Sequence, residues 1–250
     1  MAITLDSMVF NATLSQQPRV SNSVQADQAT GAFDLASKRI GQQVSATNVQ
    51  LSAFGQVKSS FVDIQSAGKS LSAPGKASTT EDTTKAVQAF TDAFNKATQS
   101  VNTAIRGGTD ALASGGHVAL AALDLKKIVT SGSNSADLKK IGISVKQDGT
   151  LSVDAKALQN ALQTNPNSVQ DTLAKVGALA EQVAGKELAN TGNIGGTVNA
   201  SSARAKNLEF KAAEQQKLAT NSQTVVQQQV ANISKSATSG VAAYMQMFSL

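Results

Sequence analysis

The stretch IGISVKQDGTLSVDAKALQNALQTNP, residues 141–166, contains the clearest local signals for secondary structure in this chain. Apolar Ile141, Ile143 and Val145 alternate with small or polar residues, which is typical of a half-buried strand. The alternation returns at Leu151, on the far side of a turn signal. These residues therefore predict a β-hairpin, residues 141–153, that leads directly into a helix.

Five residues of this stretch are predicted to form turns and caps. Asp148 and Gly149 form an Asp-Gly pair, which favours the positive φ angles of a tight hairpin turn. Asp154 is placed to cap the helix that follows the hairpin. Asn165 and Pro166 end that helix and begin another, because Pro is well accepted at the first helical position. We interpret all five as structural residues.

Toward the amino terminus, apolar residues recur at steps of three and four, which predicts one long helix over residues 26–72. Such spacing is typical of the seam of a coiled coil. The residues before it, 1–25, are polar without a sustained period, and we expect them to be flexible. The seam residues predicted to pack between subunits are Ile40, Val44, Leu51, Phe54, Phe61 and Ile64.

Residues 199–250 show the same spacing and predict a second long helix. The first half of its seam carries small and amide side chains such as Gln215, and polar seam residues fix register at the expense of stability. We therefore expect this helix to become firmly ordered on assembly, and the two long helices to pack side by side. Its predicted subunit-packing residues are Val226, Val230, Ile233, Val241, Tyr244 and Phe248.

Between the long helices, residues 83–190 are predicted to form a helical stalk domain that contains the hairpin. Ser78 and Glu81 have the spacing of a capping box for its first helix. Residues 130–137 are polar and predict a linker, and the Gly-rich residues 190–197 predict a loop. The fold class is therefore mainly α: an elongated bundle of long terminal helices with a small β-hairpin and helix unit.

The composition argues against a large enzyme core. Hydrophobic residues make up 41% of the 250 residues, but aromatic residues only 4%, and Cys is absent. Without Cys, disulfides and thiolate metal sites are excluded. His117 is the single histidine and lies in a segment without an evident cluster of partners, and no Gly-rich stretch has the Lys-Ser/Thr of a phosphate loop. We predict no enzyme activity and no catalytic, cofactor-binding or metal-binding residues.

Charge and hydropathy also limit the partners. The net charge is +5, but the 22 basic residues are scattered rather than clustered on one face, so we expect no nucleic-acid partner. No apolar run approaches the roughly 20 residues of a membrane span, which predicts no membrane partner. Residues 1–20 lack the layout of a secretory signal peptide. The chain is therefore expected to stay in the cytosol or to leave by a route that uses another signal.

Residues 138–173 resemble the carboxyl-terminal region of flagellar filament capping proteins, the hook-associated protein 2 family. Residues 51–71 resemble the end of that family's first long helix, and residues 83–104 resemble the helix by which its chain re-enters the stalk. The matching positions in the first stretch, in order, are Leu138, Ile141, Gly142, Ile143, Asp148, Gly149, Thr150, Leu151, Asp154, Leu158, Leu162, Asn165, Pro166 and Val169.

Two features depart from the family pattern. The family inserts a large β-rich head between its first helix and the re-entry helix, whereas only residues 72–82 lie between them here. The Gly-rich amino-terminal start of the family is also missing from residues 1–20. The resemblance is therefore to a short form that lacks the inserted β-rich head domains.

The resemblance implies a structural protein of the bacterial flagellum that serves cell motility. It implies export through the flagellar type III system and an extracellular location, with a ring of subunits at the filament tip that promotes or retains flagellin assembly. The implied partners are further copies of the chain, flagellin and other axial proteins, with an export chaperone as an additional candidate. The alternatives are a hook–filament junction adaptor, a reduced cap paralogue, or a cytosolic flagellar regulatory binding protein.

Overall fold

A computed structural model describes residues 17–73, 79–107 and 114–247, and within them the side chains of all residues except 17–30, 32, 114 and 115. The described residues form seven helices and one two-stranded antiparallel sheet, so the mainly α fold class is confirmed. The elements are α1 (Gln17–Ser72), α2 (Thr80–Gly107), α3 (Ser114–Thr130), α4 (Asn134–Lys140), β1 (Ile143–Val145), β2 (Leu151–Val153), α5 (Ala155–Thr164), α6 (Pro166–Leu188) and α7 (Asn193–Met247).

The chain divides into two units. One unit is continuous and comprises residues 46–205; the other combines residues 1–45 with residues 206–250. The first therefore contains the carboxyl-terminal part of α1, all the shorter elements and the start of α7. The second combines segments from the two ends of the chain, in which the described residues are 17–45 and 206–247.

The hydrophobic core lies in the unit of residues 46–205. Phe61 and Ile64 of α1 are fully buried there, and so are Phe90 and Phe94 of α2, whose ring centroids are 6.1 Å apart. Large aromatic side chains bury the most apolar area per residue, so these positions hold much of the core together. The short elements α3 to α6 close this core with residues such as Leu125, Ile128, Leu138, Leu158, Leu173 and Val176.

A pair of glycines lets α1 and α6 cross closely. A Cβ atom added to Gly177 would lie 2.5 Å from the carbonyl oxygen of Gly68 and 2.8 Å from the backbone nitrogen of Ser72. A Cβ added to Gly68 would lie 2.8 Å from the carbonyl oxygen of Gly177 and 2.9 Å from the Cβ of Ala180. The two backbones therefore approach at a distance that only glycine permits at the crossing point.

The predicted hairpin is present and packs on α2. Ile143 pairs with Val153 in the antiparallel register, and the buried Ile143 and Leu151 face the core. Asn95 of α2 holds β2 at both backbone groups: its Oδ1 accepts from the Leu151 N–H at 2.6 Å and its Nδ2 donates to the Leu151 carbonyl at 3.0 Å. At this edge of the small sheet, the backbone N–H and C=O groups of Leu151 thus form hydrogen bonds with a helix side chain rather than with another strand.

The hairpin turn differs in detail from a two-residue turn with positive φ at both positions. Gly149 has a φ of 83°, but Asp148 does not have a positive φ. The loop spans residues 146–150, in which the Gly149 N–H donates to the Lys146 carbonyl at 3.0 Å. Asp148 stabilises the loop with its side chain, because its Oδ1 accepts from the N–H and from the hydroxyl of Thr150, at 2.9 and 2.6 Å. These bonds hold the pKa of the Asp148 carboxyl below its usual value.

The other predicted caps occupy the helix ends. The Oδ1 of Asp154 accepts from the backbone N–H groups of Lys156 and Ala157, at 3.0 Å each, and so caps α5. Asn165 lies between α5 and α6, and Pro166 is the first residue of α6. The side chain of Asn165 makes no capping hydrogen bond, so the fixed φ of the proline is the main local signal for this helix start.

Several helix boundaries differ from the sequence-based ones. Helix α1 already begins at Gln17, within the segment 1–25 expected to be flexible, while residues 1–16 lie outside the described residues. Helix α4 lies largely within the predicted linker, where burial of Leu138 in the core stabilises it. Helix α7 begins at Asn193, six residues before the predicted start.

The cap of α2 lies one residue later than predicted. Ser78 is outside the described residues, and Thr79 fills the role: its hydroxyl oxygen accepts from the Asp82 N–H at 3.1 Å. In return the Asp82 carboxylate accepts from the Thr79 hydroxyl at 2.7 Å. Glu81 instead pairs with Lys85 at 2.6 Å, four residues along the exposed face. The reciprocal capping box is therefore present with Thr and Asp.

Candidate functional site

The carboxyl-terminal helix carries its seam as the sequence predicts, but only its first part is covered. Between residues 206 and 226 the less exposed residues follow steps of three and four, while the residues between them are exposed. Because this spacing repeats one face of a helix, a single stripe of α7 is covered there. The members of this covered stripe are Leu208, Ala212, Gln215, Ala219, Ser222 and Val226.

Beyond Val226 the same stripe is exposed. Val230 is 58% exposed, Ile233 63% and Val241 55%, and Tyr244 lies on the same face with 63% exposure. We call the residues Val230, Ile233, Ala237, Val241 and Tyr244 the distal ridge. Phe248, which was predicted to continue it, lies outside the described residues. A contiguous apolar stripe of this kind is typical of a surface that packs against another protein.

In α1 the predicted packing residues become more buried toward the carboxyl-terminal end of the helix, whereas those of α7 become more exposed toward its carboxyl-terminal end. Ile40, Val44 and Leu51 are half-buried, whereas Phe54, Phe61 and Ile64 are buried in the core of the unit 46–205. Packing within the chain accounts for the burial of these three residues, and a role between subunits stays a prediction for Ile40, Val44 and Leu51.

Gln215 is a polar residue inside the covered stripe. Its Oε1 is buried and has no hydrogen-bond donor among the residues that the structure describes. An unsatisfied buried amide lowers stability, and a polar group at a seam position penalises alternative registers. That Gln215 sets the register of this seam stays a prediction.

The structure also contains a polar cluster that sequence reasoning missed. Asp124 of α3 accepts from Lys127 at 2.7 Å and from Lys186 of α6 at 2.8 Å. Next to it, Glu187 is fully buried and accepts from the Nδ2 of Asn193, at the start of α7, at 3.0 Å. Asp124 and Lys186 are 62 positions apart in the sequence, so no local pattern could have indicated that α3 and α6 meet in this cluster.

His117 belongs to the edge of this cluster. Its Nδ1 lies 3.1 Å from the Oδ1 of Asn193, a partner 76 positions away that the local sequence did not indicate. A cavity of about 290 Å³ lies beside it and is lined mainly by residues around the start of α7, including Asn193, Thr197 and Ser201. His117 is exposed, and the contact ties α3 to the start of α7.

The charges of the cluster act on one another. Hydrogen bonds from Lys127 and Lys186 hold the pKa of Asp124 at about 2, well below its ordinary value. Burial raises the pKa of Glu187 above its ordinary value, and the adjacent Asp124 acts in the same direction. The pKa values of the two carboxyl groups are thus shifted in opposite directions, downward for Asp124 and upward for Glu187.

The described residues, 17–73, 79–107 and 114–247, contain no group of three or more His, Cys, Asp or Glu side chains arranged to hold a metal ion. Within that same part of the chain, no helix is both long enough and apolar enough to span a membrane.

Comparison with known proteins gives one family. Residues 76–250 match the family described as "Flagellar hook-associated protein 2 C-terminus". Searches of the curated proteins and of the solved structures give no match. The matched region extends from α2 to the carboxyl terminus and includes the hairpin, the polar cluster and the distal ridge. The family consists of structural proteins of the bacterial flagellum, and this chain belongs to the family of the carboxyl-terminal region of flagellar hook-associated protein 2.

Proposed function

We propose that this protein assembles at the tip of the flagellar filament as a cap-like oligomer and promotes or retains flagellin assembly. The observation that carries the proposal is the distal ridge, whose apolar side chains keep coiled-coil spacing while they are exposed. Helix packing against further copies of the chain, or against the terminal helices of flagellin, would remove this apolar surface from water.

The ridge has the chemistry of a helix-packing surface rather than of a small-molecule site. It presents aliphatic side chains and one Tyr, a residue type that is common at interfaces because one end is apolar and the other can form hydrogen bonds. The lone charged residue between Val230 and Tyr244 is Lys235, which is not one of the ridge positions. A partner helix with its own apolar stripe would therefore meet few charges.

A second candidate is a reduced cap paralogue or a hook–filament junction adaptor. The feature that favours it is the short connection between α1 and α2, residues 73–79, which replaces the large β-rich insertion expected in a conventional cap. Such a protein would use the same ridge but would work beside a full-length cap. An export chaperone is an additional candidate partner, and a cytosolic flagellar regulatory binding protein is a further alternative function.

The first test is genetic. In a strain that lacks the protein, filament tips are imaged and monomeric flagellin in the medium is measured. Loss of filaments together with abundant secreted flagellin is expected for a cap. Normal filaments without extra secreted flagellin would overturn the cap proposal. Detection of the protein inside cells, and never in sheared filaments, would instead favour the regulatory binder.

The second test targets the ridge in the purified full chain. The substitution Ile233→Glu places a charge on the ridge, and Ser239→Glu places the same charge off the ridge on the same exposed part of α7. Concentration-dependent self-association, measured by sedimentation, should be lost in Ile233→Glu and retained in Ser239→Glu. Equal behaviour of the two variants would show that the ridge does not mediate assembly.

A further inference from the structure

The buried carboxyl of Glu187 is only partly satisfied by its surroundings. Its Oε1 accepts from Asn193, but its Oε2 is buried and has no donor among the residues described by the structure. Leaving an ionised carboxylate oxygen buried without a donor is costly, since its hydration is lost without replacement. A proton on Oε2 would remove the charge and turn this oxygen into a donor.

An acceptor for that proton is adjacent. Asp124 acts on Glu187 through hydrogen bonding and through its negative charge, and both effects raise the pKa of the Glu187 carboxyl. Asp124 is ionised and anchored by two lysines, Lys127 of its own helix and Lys186 of α6. Its position and charge therefore suit it to accept a hydrogen bond from a protonated neighbour.

We propose that Glu187 carries a proton that it donates to Asp124, and that this proton clamps the end of α6 and the start of α7 to α3. Loss of the proton leaves two negatively charged carboxylates next to each other where α3 packs against the end of α6. Their repulsion loosens the junction at Asn193, from which the long carboxyl-terminal helix extends. The clamp is independent of the proposed assembly role, because all its residues belong to the unit 46–205.

The surrounding charges leave little compensation for a second negative charge. The charged groups that act on Glu187 are Asp124 of α3 and Lys186 of its own helix, and Lys186 is already bonded to Asp124. Lys127 is likewise bonded to Asp124, and His117 reaches Glu187 only through the amide of Asn193. Protonation of Glu187 satisfies all these groups without breaking an existing pair.

The proposal fixes the direction of the pH effect. A carboxyl whose pKa is higher in the folded than in the unfolded state contributes stability that is fully present below its ordinary value, here 4.5, and is lost as pH rises through the folded pKa. Asp124 acts oppositely: its contribution is present above the ordinary 3.8 and is lost as pH falls through about 2. The clamp is therefore expected to weaken as pH rises through the raised pKa of Glu187, and to fail separately in strong acid.

The decisive variant is Glu187→Gln, which keeps the size of the side chain. Its oxygen can still accept from Asn193, and its amide N–H₂ is a permanent donor toward Asp124. The denaturant midpoint of the full chain is measured in steps from about pH 5 to about pH 8, a range that lies above the ordinary pKa of a glutamate carboxyl. The denaturant midpoint of the wild type should decrease as pH is raised over this range. The midpoint of Glu187→Gln should decrease less.

Glu181→Gln is the matched control, because Glu181 is exposed and lies on the same helix. Its midpoint should show the wild-type pH dependence. Asp124→Asn removes the negative neighbour, so it should also flatten the dependence above pH 5 while lowering stability through loss of the two lysine bonds. Equal pH dependence in wild type and Glu187→Gln would overturn the clamp.

A direct measurement covers the case in which a variant does not fold. The carboxyl carbon of Glu187 is followed by NMR in the wild-type full chain as pH is raised, together with hydrogen exchange of the amides that open α7. Late titration of Glu187, with faster opening of these amides once it ionises, is expected. Titration at the ordinary value, or amide protection that does not respond to it, would contradict the proposal.

Discussion

The core of the unit 46–205 and the distal ridge of α7 have the same sequence period and opposite environments. In the core, Phe61 and Ile64 of α1 follow the spacing of three and four and are fully buried. On the ridge, Ile233 and Val241 follow it and are more than half exposed. The comparison shows that periodicity identifies the apolar face of a helix but does not identify what covers it.

The difference corresponds to the distribution of large side chains. The chain has eight Phe, and Phe54, Phe61, Phe90 and Phe94 are all buried in the unit 46–205. The stripe of α7 instead contains mainly Val, Ala, Ser and Gln, which bury less apolar area per residue and make weaker contacts. One region can therefore form a self-sufficient core, while the other needs a partner surface to bury its apolar stripe.

The largest expected effect breaks the core. Phe61→Ala should lower the free energy of unfolding by about 3–5 kcal/mol, because it removes a fully buried ring and leaves a cavity. The neighbouring Val62→Ala is the control, since Val62 is 47% exposed and should cost less than about 1 kcal/mol. Denaturant unfolding followed by circular dichroism measures both. Similar losses for the two variants would mean that the core does not depend on this face of α1.

An intermediate effect is expected at the crossing of α1 and α6. Gly177→Ala should destabilise by about 1–3 kcal/mol, because its Cβ would collide with the backbone at Gly68 and Ser72. Gly55→Ala in α1 is the matched control: a Cβ there meets nothing within 4 Å, so it should stabilise by roughly 0.5–1 kcal/mol through helix propensity. Thermal or denaturant unfolding measures whether the two substitutions change the free energy of unfolding in opposite directions. Stabilisation by both substitutions would show that the helices do not cross closely.

The smallest effect on the isolated chain is expected on the ridge. Ile233→Ala should change the free energy of unfolding by no more than about 0.5 kcal/mol under dilute conditions, because its side chain is 63% exposed. At concentrations where the chain self-associates, the same substitution should weaken assembly, which sedimentation would detect. A large loss of stability in the dilute monomer would instead assign Ile233 to an intramolecular core.

Much of the fold could be read from local signals. The alternation around Ile143 and the turn signal at Gly149 predicted the hairpin, and Asp154 caps the next helix as expected. Local signals were less informative at α4 and at the start of α7, where boundaries depend on contacts with distant residues. Burial of Leu138 stabilises a short helix that its polar surroundings did not suggest.

The crossing glycines and the carboxyl pair could not have been identified from their neighbours in sequence. The residues around Gly68 and Gly177 do not distinguish them from other glycines in helices. Their role follows only from the close approach of the α1 and α6 backbones. Asp124 and Glu187 act on each other only when α3 meets the end of α6, because that packing buries Glu187 and brings Lys186 to Asp124. Burial and proximity change the pKa of a carboxyl, and neither is a property of the local sequence.

The sequence by itself determined the mainly α class, the hairpin with its Gly149 turn, and the apolar stripes of the two long helices, because these depend on backbone preferences and on side-chain period. The tertiary structure alone decided which part of each stripe is buried, as the contrast between Phe61 and Ile233 shows. It also decided the close crossing at Gly177 and the burial that raises the pKa of Glu187. The physical reason is that burial, close approach and desolvation arise between segments that are distant in the chain, and a local pattern carries no information about those distances.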